Sequence, residues 1–405
     1  MARLTNKFDT ILIAVFALVM MLSPSSTQAG NNVYAWGAGT IDNPSDGYDF
    51  GQSIVPANLT NAIQLAGGGW HSLALKADGT LQGWGRDDLG QADAPSGSNF
   101  VAVACGAIHS LALQANGLVV AFGDTSYGQS YVPANLSNVV AIACGFYHSL
   151  ALKSDGTVTA WGADADLFPV GQIPNYGQTV VPAGLTNVVA IAAGGYHSFA
   201  LGADGTLTEW GDQASWGGNI PSGLSNAVAI ATGAENNIVL TRDGTLTSWG
   251  TSTYGETNIP AGLSNIVAIV AGSWHTLALT KGGTIVGWGA GTGNRGPVER
   301  GQDVVPPGLT NVVQMAAGMY HSLIRQRGSP PTVTAPLTVY GITSNTFNLT
   351  VPSQAGRVYQ LEYVGSLNNP DWSQLPLCAG NGGILELSDP TAAGVPQRFY
   401  RLNRW

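Results

Sequence analysis

The chain has 405 residues, of which 44% are apolar and only 10% charged, and it contains 55 glycines. So few charges beside so many glycines exclude a helical architecture and point to short strands joined by tight turns. A formal net charge of −9, without any basic run, argues against nucleic acid or an anionic membrane surface as the partner.

The first 29 residues read as a secretory signal peptide. Arg3 and Lys7 give a positive start, and Ile11 to Leu22 is a run of 12 apolar residues, short for a bilayer span. Thr27 and Ala29 are small residues where a signal peptidase reads, so cleavage is expected after Ala29. The mature chain is then expected to be secreted or held at the cell surface, without a membrane span. Three cysteines cannot all pair in such a compartment. Cys105 and Cys144 occupy a place where other repeats put Gly67, Ala193, Thr232, Ala271 and Ala317, which suits a buried free thiol.

Residues 30–328 are organised by repetition. A phrase of the form Gly-x-x-His-Ser-x-Ala-Leu occurs seven times, with its histidine at His71, His109, His148, His197, His275 and His321, and Asn236 in its place once. An aromatic-Gly phrase follows at Trp36, Trp84, Phe122, Trp161, Trp210, Trp249 and Trp288. A period near 40 residues with strand-like segments is the mark of a radial repeat.

Each repeat reads as four strands. A small-residued inner strand (187–194) leads through the Gly-x-x-His turn to an alternating second strand, and an Asp-Gly hairpin leads to a third strand ending at the tryptophan. A loop then reaches Gly-Gln and a short outer strand ending in proline, as in 177–182. Four-stranded units arranged radially make a β-propeller. The mature chain opens on a lone third strand (33–37) and closes its repeats on a first and second strand (312–328), so the two ends should share the seventh blade. The expected class is therefore all-β: a seven-bladed propeller closed by its N-terminal strand, then a linker (329–335) and a small C-terminal β-sandwich-like domain (336–405).

These phrases resemble the regulator of chromosome condensation repeat family. The likeness covers roughly residues 31–328 and rests on the joint occurrence of G-x-x-H-S-x-A-L, D-G-T, W-G and G-Q. It implies a seven-bladed propeller with a split blade. The phrasing is closest in style to secreted bacterial members, among them the propeller-type β-lactamase inhibitor proteins. The family's founder is a nuclear exchange factor for a small GTPase; an acidic chain with a signal peptide departs from it, and that function is not carried over. The C-terminal segment resembles small sandwich modules that end many secreted bacterial proteins, either fibronectin-like or another sandwich.

All six histidines belong to the repeat phrase, so they read as structural residues, each hydrogen-bonded within its blade, rather than as catalytic groups. Their even spread leaves no metal site, and no cofactor is implied. Asp87-Asp88 and Asp164-x-Asp166 read as solvated loop carboxylates. The first and third turns of a meander lie on one face. The residue before the repeat histidine is aromatic at Trp70, Tyr147, Tyr196, Trp274 and Tyr320, with Ile108 and Glu235 as exceptions. The residue before Gly-Gln or its equivalent is aromatic at Phe50, Tyr127, Tyr176, Trp216 and Tyr254, with Leu89 and Arg300 as exceptions. Two concentric aromatic rings are expected on one acidic face, opposed only by Arg86, Arg295 and Arg300.

Such a face suits recognition of a protein or glycan, because rigid aromatics bury area at low entropic cost. The leading expectation is a secreted, non-enzymatic, monomeric binding scaffold. The alternatives are an inhibitor of a secreted enzyme and an extracellular polysaccharide lyase or hydrolase.

Overall fold

A computed structural model of the chain describes residues 32–40, 42–43, 45, 47–163, 174–212, 218–290, 299–326, 339–343, 346–355, 357–364, 373–392 and 398–404. The signal segment, the linker, Trp216, Asp164, Asp166 and Arg295 lie outside them. The described residues are almost entirely strand and turn.

Seven three-stranded antiparallel sheets form the blades, each named here by its repeat residue. In the His71 blade the strands are Ala62–Gly67, His71–Lys76 and Leu81–Gly85. Inner strands of neighbouring blades touch in an unbroken cycle that returns from the His321 blade to the His71 blade. The His321 blade is built from both ends of the repeat region: Val33–Gly37 pairs with His321–Gln326, Ala35 standing opposite Leu323 and Trp36 opposite Ser322.

The blades have three strands where four were expected. The segment from Gly177 to Pro182 forms turns and irregular chain rather than an outer strand. The turn at Gly-Gln and the proline, which lacks an N–H, leave too few ladder bonds to build a strand. The segment is held by side chains instead, as described below.

Each blade repeats the same local devices. Between the first and second strands the register slips by one residue, at Val139/Ala141 and at six equivalent places, a bulge that strengthens twist. The inner strand is entered in five cases from an asparagine in the left-handed region: Asn61, Asn138, Asn187, Asn226 and Asn265, with φ of 53° to 60°; Asn311 does the same at 55° in the His321 blade. The middle strand is buried along its first five residues. Its leucines pack against the inner strand of the next blade, as Leu73 and Leu75 do with Phe100 and Val103.

The C-terminal segment contains two further three-stranded sheets. One joins Val339–Thr343, Thr346–Pro352 and Ile384–Asp389; the other joins Ser373–Ala379, Val358–Val364 and Phe399–Arg404. Leu349, Val351 and Leu387 of the first share a core with Leu361, Leu375 and Tyr400 of the second, which makes a sandwich. The sandwich lies against the propeller face that carries the Asp-Gly hairpins. Val358 and Leu377 join the core cluster of the Asn236 and His275 blades, the Leu377 N–H donates to the Arg242 carbonyl at 3.3 Å, and Lys281 pairs with the wholly buried Glu362.

Deleting residues 33–37 strips the His321 blade of its third strand and removes two buried side chains, Val33 and Trp36. The loss of a buried tryptophan alone costs about 3–5 kcal/mol. A large drop in melting temperature is expected by differential scanning calorimetry; an unchanged transition would mean that this strand contributes nothing to the ring.

Candidate recognition face

The repeat histidines are wholly buried, and they link blades rather than serving their own blade as expected. His71 Nε2 lies 2.8 Å from Ser110 Oγ of the next blade, and His109, His148 and His275 reach Ser149, Ser198 and Ser322 in the same way at 2.8–3.0 Å. His321 Nε2 reaches Ser72 across the closing seam at 2.8 Å. His197 meets Asn237 Oδ1 at 2.9 Å, and Asn236 Nδ2 meets Thr276 at 3.4 Å. Seven side-chain bonds thus close the circle. The reason for the difference is length: the imidazole extends past the small residues of the next inner strand, and the serine opposite the tryptophan in that next blade is the first partner it meets.

The chemistry of the relay fixes the tautomer. The Ser72 hydroxyl has one hydrogen, and the Gln52 main-chain carbonyl 3.0 Å away can only accept it. The hydrogen between His321 and Ser72 therefore belongs to Nε2, and each serine-bonded histidine is a neutral donor. Burial lowers the imidazole pKa to about 3 for His71, His148, His275 and His321 and to about 4 for His109 and His197. Glycine three residues before each histidine is obligatory, because a Cβ at Gly106 would fall against the His109 ring and the Gly145 carbonyl of the next blade.

The same carbonyl accepts a second donor, the indole N–H of the aromatic-Gly phrase. Trp84 donates to Gln52 O at 2.8 Å, and Trp36, Trp161, Trp210 and Trp288 donate to Gln302, Gln129, Gln178 and Glu256 at 2.7–2.9 Å. The Gln52 side chain, itself buried, accepts the Phe50 N–H at 2.8 Å. Gln129 and Gln178 accept Tyr127 and Tyr176 at 2.9 and 2.7 Å. This glutamine is therefore the centre of each loop. Reading it as part of an outer strand missed that role; the signal in the sequence is its recurrence after a glycine at five positions, with a glutamate, Glu256, at a sixth.

These anchors place both aromatic rings. The turn carrying the inner ring is tied to the third-turn loop by one main-chain bond per blade, such as Arg86 N to Trp70 O at 2.8 Å and Asp212 N to Tyr196 O at 3.0 Å. Trp274, Tyr320 and Trp70 form one arc, with centroids 5.0 and 5.8 Å apart. Tyr320, only 7% exposed, is the pillar of this arc, flanked also by Tyr48 at 5.1 Å. Tyr147 and Tyr196 form a second arc at 6.0 Å, joined by Phe146. The outer residues meet inner ones edge-on: Phe50 with Trp70 at 6.4 Å, Tyr127 with Tyr147 at 4.9 Å and Tyr176 with Tyr196 at 5.2 Å. Tyr254 is half-buried in its loop, with its N–H on Glu256 at 2.9 Å.

The first arc carries two of the three arginines expected on this face. The Arg86 guanidinium lies 5.3 Å from both the Phe50 and Trp70 rings, and Arg300 lies 4.4 Å from Tyr48. Between the two arcs, Glu235 interrupts the ring. Its carboxyl is pushed up to about 7, first by burial and then by the neighbouring Glu256, which burial also raises. Among the described residues no three His, Cys, Asp or Glu side chains converge as a metal site.

Five stretches of the chain match the regulator of chromosome condensation (RCC1) repeat: 62–91, 100–129, 139–166, 227–256 and 266–295. The propeller carries repeats of the regulator of chromosome condensation family. The His197 and His321 blades lie outside those stretches and have the same strand register. Among solved structures the propeller resembles Prp20p of Saccharomyces cerevisiae, 21% identical, with 74% of this chain and 92% of that one covered and a TM-score of 0.56. It also resembles human WBSCR16, at 22% identity, 73% and 100% coverage and a TM-score of 0.52. The ectodomain of the Arabidopsis thaliana receptor kinase ACR4 is similar at 18% identity, 67% and 95% coverage and a TM-score of 0.50. At these identities the likeness is one of fold. No curated protein matches the chain in sequence.

The buried histidines set the response to acid. Their folded pKa lies below the unfolded value of about 6.5, so the unfolded chain takes up more protons. Their contribution is complete above pH 6.5 and is lost as pH falls toward 4, at on the order of 2 kcal/mol per histidine by pH 5. Glu209, buried and raised to about 8, and the half-buried Glu235 act in the opposite sense, but they are two groups against six histidines. The melting temperature is expected to fall steadily between pH 7 and pH 5, and a His109→Gln variant to show a shallower fall. Equal slopes would contradict the neutral relay.

Proposed function

We propose that this propeller is a secreted, non-enzymatic scaffold that binds a protein partner through the face carrying the two aromatic arcs. The observation that carries the reading is the Trp70–Tyr320–Trp274 arc. Its rings are held rigidly by the relay beneath them, with Tyr320 as a buried support and Trp70 and Trp274 half-open on either side. Prebuilt aromatic anchors beside guanidinium groups are the groups that dominate protein interfaces, since little entropy is lost when they are covered. Prp20p, whose fold is alike, has been described with its binding to Gsp1p and histones. The signal-like first 29 residues and the net charge of −9 point to a different, extracellular partner.

The buried relay also weighs against catalysis on this face. A general base must reach the proton it takes. The histidines are fully covered, and each Nε2 is committed to a neighbouring blade.

The test is a Trp70→Ala, Trp274→Ala double variant, compared with the unaltered chain for affinity to a protein captured from the surrounding medium. Removing two central aromatics is expected to weaken binding by roughly 100-fold or more, with the thermal transition retained. Unaltered affinity would place the partner elsewhere. An N-terminal sequence beginning at Gly30 in secreted material would support the cleavage; retention of Met1 would refute it.

A further inference from the structure

Away from the aromatic face, a cavity of about 580 Å³ separates the C-terminal sandwich from the hairpin ends of the Asn236 and His275 blades. This is within the size range of sites that hold small ligands, and such sites favour the seam between two structural units. We propose that it binds an acidic saccharide, a hydroxylated carboxylate of one or two sugar units.

Three features on its walls select this chemistry. Arg242 projects from the hairpin turn of the Asn236 blade, is exposed, and makes no ion pair among the described residues. Its main-chain carbonyl is fixed by the Leu377 N–H, so the guanidinium starts from a held backbone. A planar fork of N–H donors matches a carboxylate in two-point contact. Lys281 also lines the wall, but its ammonium is paired with Glu362, so Arg242 is the cation a ligand would meet, beside the single wall carboxylate, Asp243.

The second feature is an unsatisfied acceptor. Gln360 lines the cavity, is only 6% exposed, and donates from Nε2 to the Leu375 carbonyl at 2.8 Å. That bond fixes which end of the amide is oxygen, and this Oε1 has no hydrogen-bond partner. A buried acceptor without a donor is rare, and a hydroxyl group supplies the donor it lacks. Asp243 is arranged in the same sense. Its Oδ1 takes the hydroxyls of Thr241 and Thr245, which leaves Oδ2 of this exposed side chain as an acceptor for a further hydroxyl.

The third feature is the apolar wall. Leu375, Pro376 and Leu377 line one side of the cavity, offering a surface for the C–H face of a sugar ring. A neutral sugar would leave Arg242 without its counter-charge, and a bare carboxylate would leave Gln360 and Asp243 unused. An acidic saccharide meets all three.

The experiment uses the full chain, titrated with sodium glucuronate and, separately, with glucose, followed by isothermal calorimetry and saturation-transfer NMR. Glucuronate is expected to bind, and glucose roughly tenfold more weakly, the difference of one charge-assisted contact. Arg242→Ala, an exposed substitution, is expected to weaken glucuronate by roughly tenfold or more without lowering the melting temperature. Gln374→Ala, exposed on the sandwich side, is expected to weaken it less. The double aromatic variant should bind glucuronate as the unaltered chain does, which keeps this site independent of the recognition face. The proposal is overturned if glucuronate does not bind, if glucose binds as well, if Arg242→Ala changes nothing, or if the aromatic variant abolishes binding.

Discussion

The whole ring depends on a three-member relay in which a neutral imidazole donates to a hydroxyl and the hydroxyl donates to a main-chain carbonyl. Each relay begins in one blade, crosses to the next and ends in the loop that precedes it. A blade therefore cannot settle without its neighbour, and the chain of dependence runs around a closed circle. An apolar contact between blades tolerates sliding, because dispersion is non-directional. A buried donor that loses its acceptor costs about 1–3 kcal/mol. The relays thus supply register, while leucines such as Leu73 and Leu75 supply most of the favourable free energy. Division of the two tasks explains why the relay positions tolerate only polar exchanges: the Ser position becomes Thr276 or Asn237, and the His position becomes Asn236.

One carbonyl receiving two donors also explains the loss of the outer strand. The indole and the hydroxyl fasten the Gly-Gln turn directly to the next blade, so a fourth strand is not required to hold the loop. Where one donor is missing the other suffices. Phe122 has no indole N–H, yet Ser110 still reaches Gln91 O at 2.8 Å. The redundancy leaves the loop rigid enough to carry aromatics at defined angles, which joins the core to the recognition face.

Legibility followed the degree of repetition. The seven blades, the split blade and the two aromatic rings could be read because each rests on positions that recur at a fixed phase, such as Trp70 before His71 and Phe50 before Gly51. The direction of the histidine bonds could not be read, since the spacing is the same whether His71 bonds inside its blade or to Ser110. The role of Gln52 was hidden for a related reason: an outer strand and a fastened turn both end in proline. Arg86 and Arg300 could be placed on this face, but not over particular rings, because both break the repeat. Trp216 lies outside the described residues, so the outer ring is seen without it.

The position of the sandwich bears on which propeller face the proposed partner would use. It lies over the hairpin ends across the cavity that Arg242 and Asp243 line, and Gly382 approaches Val140 at the start of the His148 inner strand. Inner strands begin on that face and end on the other, where Trp70 and Tyr147 stand. A large partner seated on the hairpin face would have to displace Val358 and Leu377 from a shared core and leave Glu362 buried without Lys281. Breaking a buried pair in this way is costly, on the order of 3–5 kcal/mol. The aromatic face carries no such obstruction among the described residues, and its rings are held in place before any partner arrives. On the proposed reading the two faces divide the work: one holds the C-terminal sandwich and the polar cavity beside it, and the other would receive a large partner.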